Sequence, residues 1–298
     1  MISLSALADA WNALFHAHEP PTTEAVFRIL LGTVLLVNAA TLLRDVPLLF
    51  GPSGVLPMRH YDAIYGRRRF TLLRYLPQTD AWAYACLAVH ALAASSLTVG
   101  FCTRTSAAVA FVTLLSLQNR NPIVTYGADD VMRLMTFLLI FSRAGEVLSL
   151  DRWIAGSGSI DAADSSAWAL RLMQLQVSII YMKAFLAKFR GRLWVEGAAA
   201  YYAVAVGDFQ RRPLPKPLAR AAWNRLVTWM TLAIEFALGP LIWIRELRPA
   251  VLLAGVAMHA GMEVFMNLHL FGATMMASLV LFLDPVDVAR GLARLGML

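Results

Sequence analysis

A lysine at the end of a long apolar run is the residue of this sequence best placed for acid–base chemistry. Lys188 follows Tyr181, Gln174 and Arg171 at spacings of seven, seven and three residues, so a helix would carry all four along one face. An amine removed from water gives up its proton more easily, which makes Lys188 a candidate base. Because polar side chains of membrane helices avoid lipid, this stripe is predicted to face the interior of a bundle.

A structural interpretation of the same stripe stays open at this point. Gln174 and Tyr181 can form hydrogen bonds between helices, and the Lys188 ammonium can extend along its own aliphatic chain to the membrane surface. The two interpretations differ in what surrounds the lysine. A closed pocket favours a base, whereas the headgroup region favours a surface charge.

A second polar group lies at residues 119–133, around an Asn-Pro turn. One of Asp129 and Asp130 is predicted to cap the helix that follows. The other aspartate is predicted to form a buried ion pair with Arg133, or one of these charged groups reaches Lys188.

A third group contains His259 and Glu263, which are four residues apart, followed by Asn267 and His269. The spacing predicts one helical face that enters a pocket in the membrane. Two such residues also suit a metal ion, but the sequence has no HExxH pattern and too few further ligands converge. No metal site is therefore predicted.

Composition assigns the chain to membranes. Of its 298 residues, 59% are hydrophobic and 15% charged, and the mean hydropathy is +0.60, which exceeds the usual values of soluble domains. We predict an all-α fold, a single polytopic transmembrane bundle over residues 1–298 with about eight membrane segments and interfacial helices. Windows 106–117 and 131–141 are shorter than a span and are predicted to be shortened or re-entrant. The apolar windows are 25–43, 81–99, 106–117, 131–141, 167–187, 223–244, 250–264 and 273–283.

The net charge of +7 comes mostly from arginines between the apolar windows. The positive-inside bias explains such arginines, so membrane lipid is predicted as a partner and nucleic acid is not. The basic segments 44–80 and 211–220 both follow odd-numbered spans, which predicts a cytoplasmic location for both. The first is turn-rich and is predicted to be an ordered lid with an interfacial helix. Two cysteines, Cys86 and Cys102, give no disulfide framework.

Several short motifs in these segments together resemble one family. They are Leu49-Phe-Gly-Pro-Ser-Gly-Val-Leu-Pro57, Asn121-Pro with Tyr126-Gly-Ala-Asp129, Ser149-Leu-Asp151, the set of Tyr181, Lys188 and Trp194-Val-Glu-Gly197, and His259 followed by Phe271 and Met275. The chain resembles the horizontally transferred transmembrane (HTTM) domain family, whose members include the vitamin K-dependent gamma-glutamyl carboxylases. The likeness covers most of the chain, and the segment around Trp194 is its most specific part.

This resemblance implies a chemistry. In the carboxylase a lysine deprotonates vitamin K hydroquinone, which reacts with oxygen, and the strong base that forms removes a proton from a peptide glutamate before carbon dioxide adds. By position Lys188 would be that lysine, and Asp129 and His259 would orient or stabilise the reacting groups. A reduced, vitamin K-like quinone is the implied cofactor, and a peptide or small acid is the implied substrate. The pocket residues that we predict are Trp194, Gln174, Tyr181, Glu196, Asn121, Tyr126, Arg133 and Glu263.

The sequence also departs from the carboxylase. The eukaryotic enzyme has a histidine near the turn that here reads Tyr126 to Asp129, but no histidine lies between His90 and His259. Its large soluble C-terminal region does not follow Pro285, so activity on propeptide-bearing substrates is not expected. Two other functions stay open: a non-catalytic multi-pass partner of a peptide-maturation or export system, bound to another membrane protein or to a second copy, and a transporter. The expected location is a bacterial-type inner or plasma membrane.

Overall fold

Helices make up the folded part of this protein. The computed structural model describes residues 3–66, 68–156, 167–216 and 219–298. These ranges contain no β-strand, so the predicted all-α class is confirmed for them. The predicted loops 44–80 and 211–220 include residues 67, 217 and 218, which lie outside the described ranges. The α-helices are α1 (Leu4–Phe15), α2 (Thr22–Leu42), α3 (Val46–Phe50), α4 (Met58–Tyr65), α5 (Asp80–Val99), α6 (Thr103–Arg120), α7 (Gly127–Leu139), α8 (Leu150–Ala155), α9 (Trp168–Phe189), α10 (Arg192–Val195), α11 (Ala199–Ala205), α12 (Ala221–Leu238), α13 (Arg248–Phe265), α14 (Phe271–Leu279) and α15 (Pro285–Arg294).

The helices form two compact units. One consists of Met1–Arg171 with Asp284–Leu298, and the other of Leu172–Leu283. In the first unit α5 packs against both α2 and α6, and α6 packs against α7. Gly32 permits the close approach of α2 to α5, because a Cβ atom there would lie 2.4 Å from the Thr98 hydroxyl oxygen.

The turn-rich segment after α3 is held by two buried residues at the end of α6. Arg120 donates hydrogen bonds to the carbonyl oxygens of Leu56 (2.7 Å) and Gly51 (3.0 Å). The side-chain amide of Asn121 donates to the carbonyl of Leu49 at 3.0 Å. The first part of the predicted lid is therefore ordered, as expected, and its fold depends on the end of α6.

A carboxylate anchors the start of α6. The Asp151 oxygens accept hydrogen bonds from the backbone nitrogens of Cys102 (2.7 Å) and Thr103 (2.9 Å), which are groups that a helix N-terminus leaves unsatisfied. The Asp151 backbone nitrogen donates to the Gly100 carbonyl at 3.0 Å. Gly100 ends α5 with a φ of 74°, a left-handed conformation that favours glycine. The Ser149-Leu-Asp151 motif thus fixes the turn between α5 and α6.

Removal of the Asp151 carboxylate charge is expected to lower the stability of the protein by an amount that depends on pH. Partial burial raises the pKa of the Asp151 carboxyl, but hydrogen bonds from the backbone of Thr103 and Cys102 and from the Thr103 hydroxyl outweigh it and hold the pKa below its usual value. Asp151→Asn is expected to lower the free energy of unfolding by about 1 kcal/mol, as loss of a helix cap does. Because the folded pKa is depressed, the contribution is present above the pKa of an unfolded aspartate, about 4, and is lost as the pH falls through the folded value.

Chemical unfolding in detergent between about pH 3 and pH 7 measures this difference. The difference in unfolding free energy between the wild type and Asp151→Asn should disappear at acid pH. Asp287→Asn, which removes an exposed carboxylate paired with Arg290, serves as the control and should change stability little. A gap for Asp151→Asn that is equal at all pH values would contradict a role for the carboxylate charge.

Two helical segments of the described chain are long and apolar enough to cross a membrane, Thr22–Phe50 and Asp80–Val99. The number rises to three if the bent pair of Phe271–Phe282 and Pro285–Arg294 counts as one span. The predicted number of about eight is therefore not confirmed. Four further helices, α6, α9, α12 and α13, reach at least 18 residues, but their polar and charged side chains lower the mean hydropathy.

In the second unit α13 packs against both α12 and α14. Gly255 of α13 permits this arrangement, because a Cβ atom there would lie 3.0 Å from Leu279 and 3.1 Å from Leu238. These contacts place the inner faces of α12 and α13 close to each other. Each of these faces carries one buried ionisable residue, Glu235 on α12 and His259 on α13.

Candidate active site

The polar stripe of α9 lies inside the second unit, as its spacing predicted. Gln174 and Tyr181 are buried, with exposed fractions of 4% and 2%. The Gln174 side chain donates a hydrogen bond to the Leu281 carbonyl at 2.7 Å. Lys188, one further heptad along, is about one-quarter exposed. The stripe therefore runs from a packed, satisfied end at Gln174 to a more accessible end at Lys188.

Tyr181 is hydrogen-bonded to a histidine of α13. The Tyr181 hydroxyl lies 2.8 Å from Nε2 of His259, and the histidine tautomer decides which of them donates. His259 is 2% exposed, and the ring of Phe271 lies edge-on to it at 5.8 Å. The other ring nitrogen, Nδ1, is buried and has no partner among the described residues.

Lys188 forms an ion pair with Glu235, which was not among the predicted site residues. Its ammonium lies 2.5 Å from Oε1 of Glu235, whose side chain is 6% exposed. The second oxygen, Oε2, is buried without a partner in the described part of the chain. The alternative in which a charged group of residues 129–133 reaches Lys188 is thus corrected, because its partner is Glu235. The alternative surface-charge interpretation also weakens, because the ammonium turns towards a buried carboxylate.

The Trp194 ring borders the lysine of this ion pair. The Lys188 ammonium lies 5.4 Å from the centre of that ring, within the range of a cation–π contact. Phe185 comes three residues before Lys188 on α9, and its ring lies 5.3 Å from the ring of Phe236 on α12. The role of Trp194 as a wall of the ligand pocket stays a prediction.

The two pairs follow each other along α9, because Tyr181 and Lys188 are one heptad apart on the same face of that helix. Three helices, α9, α12 and α13, therefore carry these two pairs, and we call their four ionisable residues, Tyr181, His259, Lys188 and Glu235, the cluster. Glu235 had a usable sequence signal, since it is the single acidic residue of the apolar helix α12 and such residues are functional candidates by default.

Four predicted residues belong to the first unit and have structural partners there. Asp129 accepts a hydrogen bond from the Tyr126 backbone nitrogen at 3.0 Å and so caps α7, as predicted. Arg133 pairs with Asp130 as predicted, but the pair is exposed and not buried, and Arg133 also donates to the Gln118 side chain at 3.0 Å. The predicted pocket placement is corrected to a local structural one for the four residues, which are Asn121, Tyr126, Asp129 and Arg133.

Three further predictions need correction. Glu196 lies on the exposed surface, half accessible, and pairs with Arg192 at 2.7 Å, because α10 is a single turn that turns this side chain outward. Glu263 accepts a hydrogen bond from the Gly272 backbone nitrogen at 3.0 Å and ties α13 to α14. Arg171 donates to Glu19 at 2.5 Å within the first unit and leaves the stripe.

Comparison with known proteins decides the family. The model of the HTTM domain matches residues 17–286. The chain belongs to the HTTM family. The resemblance predicted from the short motifs is thereby confirmed, and membership in HTTM, a membrane domain, agrees with the two apolar helices that are long enough to span a bilayer.

Two relatives of this HTTM protein come from Bacillus subtilis (strain 168). It is 25% identical over 214 residues to the uncharacterized protein YitO, a match that covers 68% of this chain and 67% of YitO. It is 26% identical over 126 residues to the sporulation-delaying protein SdpB, covering 40% of this chain and 39% of SdpB. No solved structure matches the chain.

Proposed function

We propose that this HTTM protein is a membrane enzyme that performs acid–base chemistry on a reduced quinone or a related lipid-soluble acid. This proposal rests on the cluster of Lys188, Glu235, Tyr181 and His259, in which each ionisable side chain is paired with another from a neighbouring helix. Two of its polar atoms, one oxygen of Glu235 and one nitrogen of His259, are buried without a partner among the described residues. Unsatisfied polar atoms of this kind are costly, and a ligand with hydroxyl groups would satisfy them.

Proton transfer within the ion pair prepares the base. A charged Lys188 cannot accept a proton, but transfer of one proton to Glu235 gives a neutral amine and a neutral carboxylic acid. In apolar surroundings the neutral pair comes closer in energy to the charged pair, because burial penalises both charges. The amine then takes the acidic proton of the ligand and becomes an ammonium again, while Glu235 keeps the proton it received. Tyr181 and His259 orient the ligand through hydrogen bonds.

The surroundings of the cluster suit a quinone. A flat apolar ring system packs well against aromatic side chains, and the Trp194 ring lies 5.4 Å from the Lys188 ammonium. A polar hydroxyl on that ring would meet the unsatisfied atoms of Glu235 and His259. When bound, a reduced quinone supplies an acidic hydroxyl group close to the base.

The proposal includes a multi-pass arrangement in a plasma or bacterial inner membrane. The helices that carry the cluster, α9, α12 and α13, have 22, 18 and 18 residues, enough for most of a bilayer crossing. Lys188 pairs with Glu235, and Tyr181 pairs with His259, which lowers the cost of placing these four residues in apolar surroundings. About eight segments in total remains our expectation.

The purified wild-type protein provides the direct test. Mass spectrometry of its lipid extract should detect a quinone in amounts comparable to the protein. Addition of reduced quinone, oxygen, carbon dioxide and a glutamate-containing peptide should yield a quinone epoxide and a carboxylated product. The proposed function would be contradicted if the lipid extract contained no quinone and the protein consumed none of the reduced quinones that were added.

A second candidate rests on the likeness to SdpB, which is named for delaying sporulation. In this alternative the protein is a non-catalytic membrane partner of a peptide-maturation or export system. The cluster would then hold α9, α12 and α13 together and would have no ligand. A protein that is altered at Lys188 but still supports maturation of its peptide in cells would favour this candidate.

A further inference from the structure

A polar cavity of about 580 Å³ lies in the first unit, beside the segment that follows α4 and the facing ends of α6 and α7. The residues that line it include Arg68, Arg69, Arg133 and Asp130. Asp130 is already paired with Arg133. Arg68 and Arg69 have no carboxylate partner in the described part of the chain, so the cavity carries an excess of two positive charges.

The backbone beside these arginines is fixed by hydrogen bonds to α6. The Asn119 side chain donates to the Phe70 carbonyl at 2.9 Å. The Leu72 backbone nitrogen donates to the Ser116 hydroxyl at 2.8 Å. The segment that carries the arginines is therefore held in place before a ligand binds, which lowers the entropic cost of binding.

The arginine side chains are also partly positioned. Arg69 lies over the ring of Tyr65 at 5.0 Å, a cation–π contact that limits its rotamers. Arg133 donates to the Gln118 side chain at 3.0 Å, which holds it at the wall. The planar guanidinium fork matches a phosphate group, to which it donates two parallel hydrogen bonds.

We propose that this cavity binds the phosphate group of an anionic ligand, with an anionic phospholipid as its source in the membrane. Apolar side chains near the cavity support a lipid source: Ile64, Phe70 and Ile123 are 63%, 45% and 59% exposed. Acyl chains would cover these side chains while the headgroup enters the cavity. Arginines beside a membrane attract anionic headgroups in the same way.

Native mass spectrometry of the full chain in detergent tests this site. Phosphatidylglycerol should bind about tenfold more tightly than phosphatidylcholine, because the excess positive charge of the cavity repels the choline cation. The Arg68→Gln/Arg69→Gln variant should lose that preference. The control is Arg44→Gln/Arg59→Gln, which removes the same charge from exposed positions of the same segment outside the cavity and should keep it.

Three outcomes decide the proposal. The proposal would be overturned if the wild type bound both lipids equally, or if the two double variants lost the preference for phosphatidylglycerol to the same extent. If sn-glycerol 3-phosphate binds as tightly as phosphatidylglycerol and competes with it, the phosphate site stands and its ligand comes from solution. The single variants Arg68→Gln and Arg69→Gln test the same preference where the double variant does not fold.

Discussion

Replacement of Lys188 by methionine is expected to lower the turnover of reduced quinone by about 100-fold or more, the usual contribution of a positioned acid or base. Methionine keeps an unbranched apolar side chain but accepts no proton. It also leaves Glu235, which lies 2.5 Å from the wild-type ammonium, without the partner from which it receives its proton. The measurement is the initial rate of quinone consumption by the full chain in detergent, at saturating quinone.

Lys183→Met is the matched control for this prediction. Lys183 lies on the same helix and carries the same charge, but it borders an apolar groove with Met182, Leu186 and Arg190 and is outside the ion pair. This variant should keep the wild-type rate, since its change of charge does not touch the cluster. If Lys188→Met is as active as Lys183→Met, the lysine is not the base, and the partner-protein candidate becomes the better account of the cluster.

The sequence predicted those parts of the site that one helix or one motif contains. Tyr181 and Lys188 are a heptad apart, so a single helix fixes their shared face, and the short turn after α9 brings Trp194 back to Lys188. His259 was predicted as a site residue from the family motif and from its spacing to Glu263, and in the structure it is hydrogen-bonded to Tyr181. Helical periodicity and the length of a short connection depend only on the local sequence, so they can be predicted without knowledge of the tertiary fold.

Ion pairs between residues that are far apart in the sequence could not be predicted from local spacing. Glu235 is 47 residues from Lys188, and only the packing of α12 beside α9 makes it the lysine's partner. Arg171 fits the stripe by spacing, yet Glu19, 152 residues away, binds it in the first unit. The polar residues of the candidate site also lower the mean hydropathy of α9, α12 and α13. For this reason a hydropathy criterion does not count these three helices as membrane spans.

The largest change in stability is expected from breaking the ion pair of the second unit. Lys188→Met leaves the Glu235 carboxylate, 6% exposed, buried and unpaired, which usually costs about 3–5 kcal/mol of unfolding free energy. Because the Lys188 side chain is one-quarter exposed, we expect the low end of that range, about 3 kcal/mol. The double variant Lys188→Met/Glu235→Leu removes both charges and should recover most of the loss, since apolar replacement of a buried pair is often neutral.

Chemical unfolding in detergent of the wild type, both single variants and the double variant gives the coupling energy of the pair. The exposed pair of Arg192 and Glu196, replaced in the same four combinations, is the control and should show little coupling. A strong coupling at Lys188 together with lost turnover in the stable double variant separates chemistry from folding: the protein would then be intact but without its base. Equal couplings in the two pairs would instead mean that Glu235 is solvated, and the proton transfer proposed between Lys188 and Glu235 would lose its physical basis.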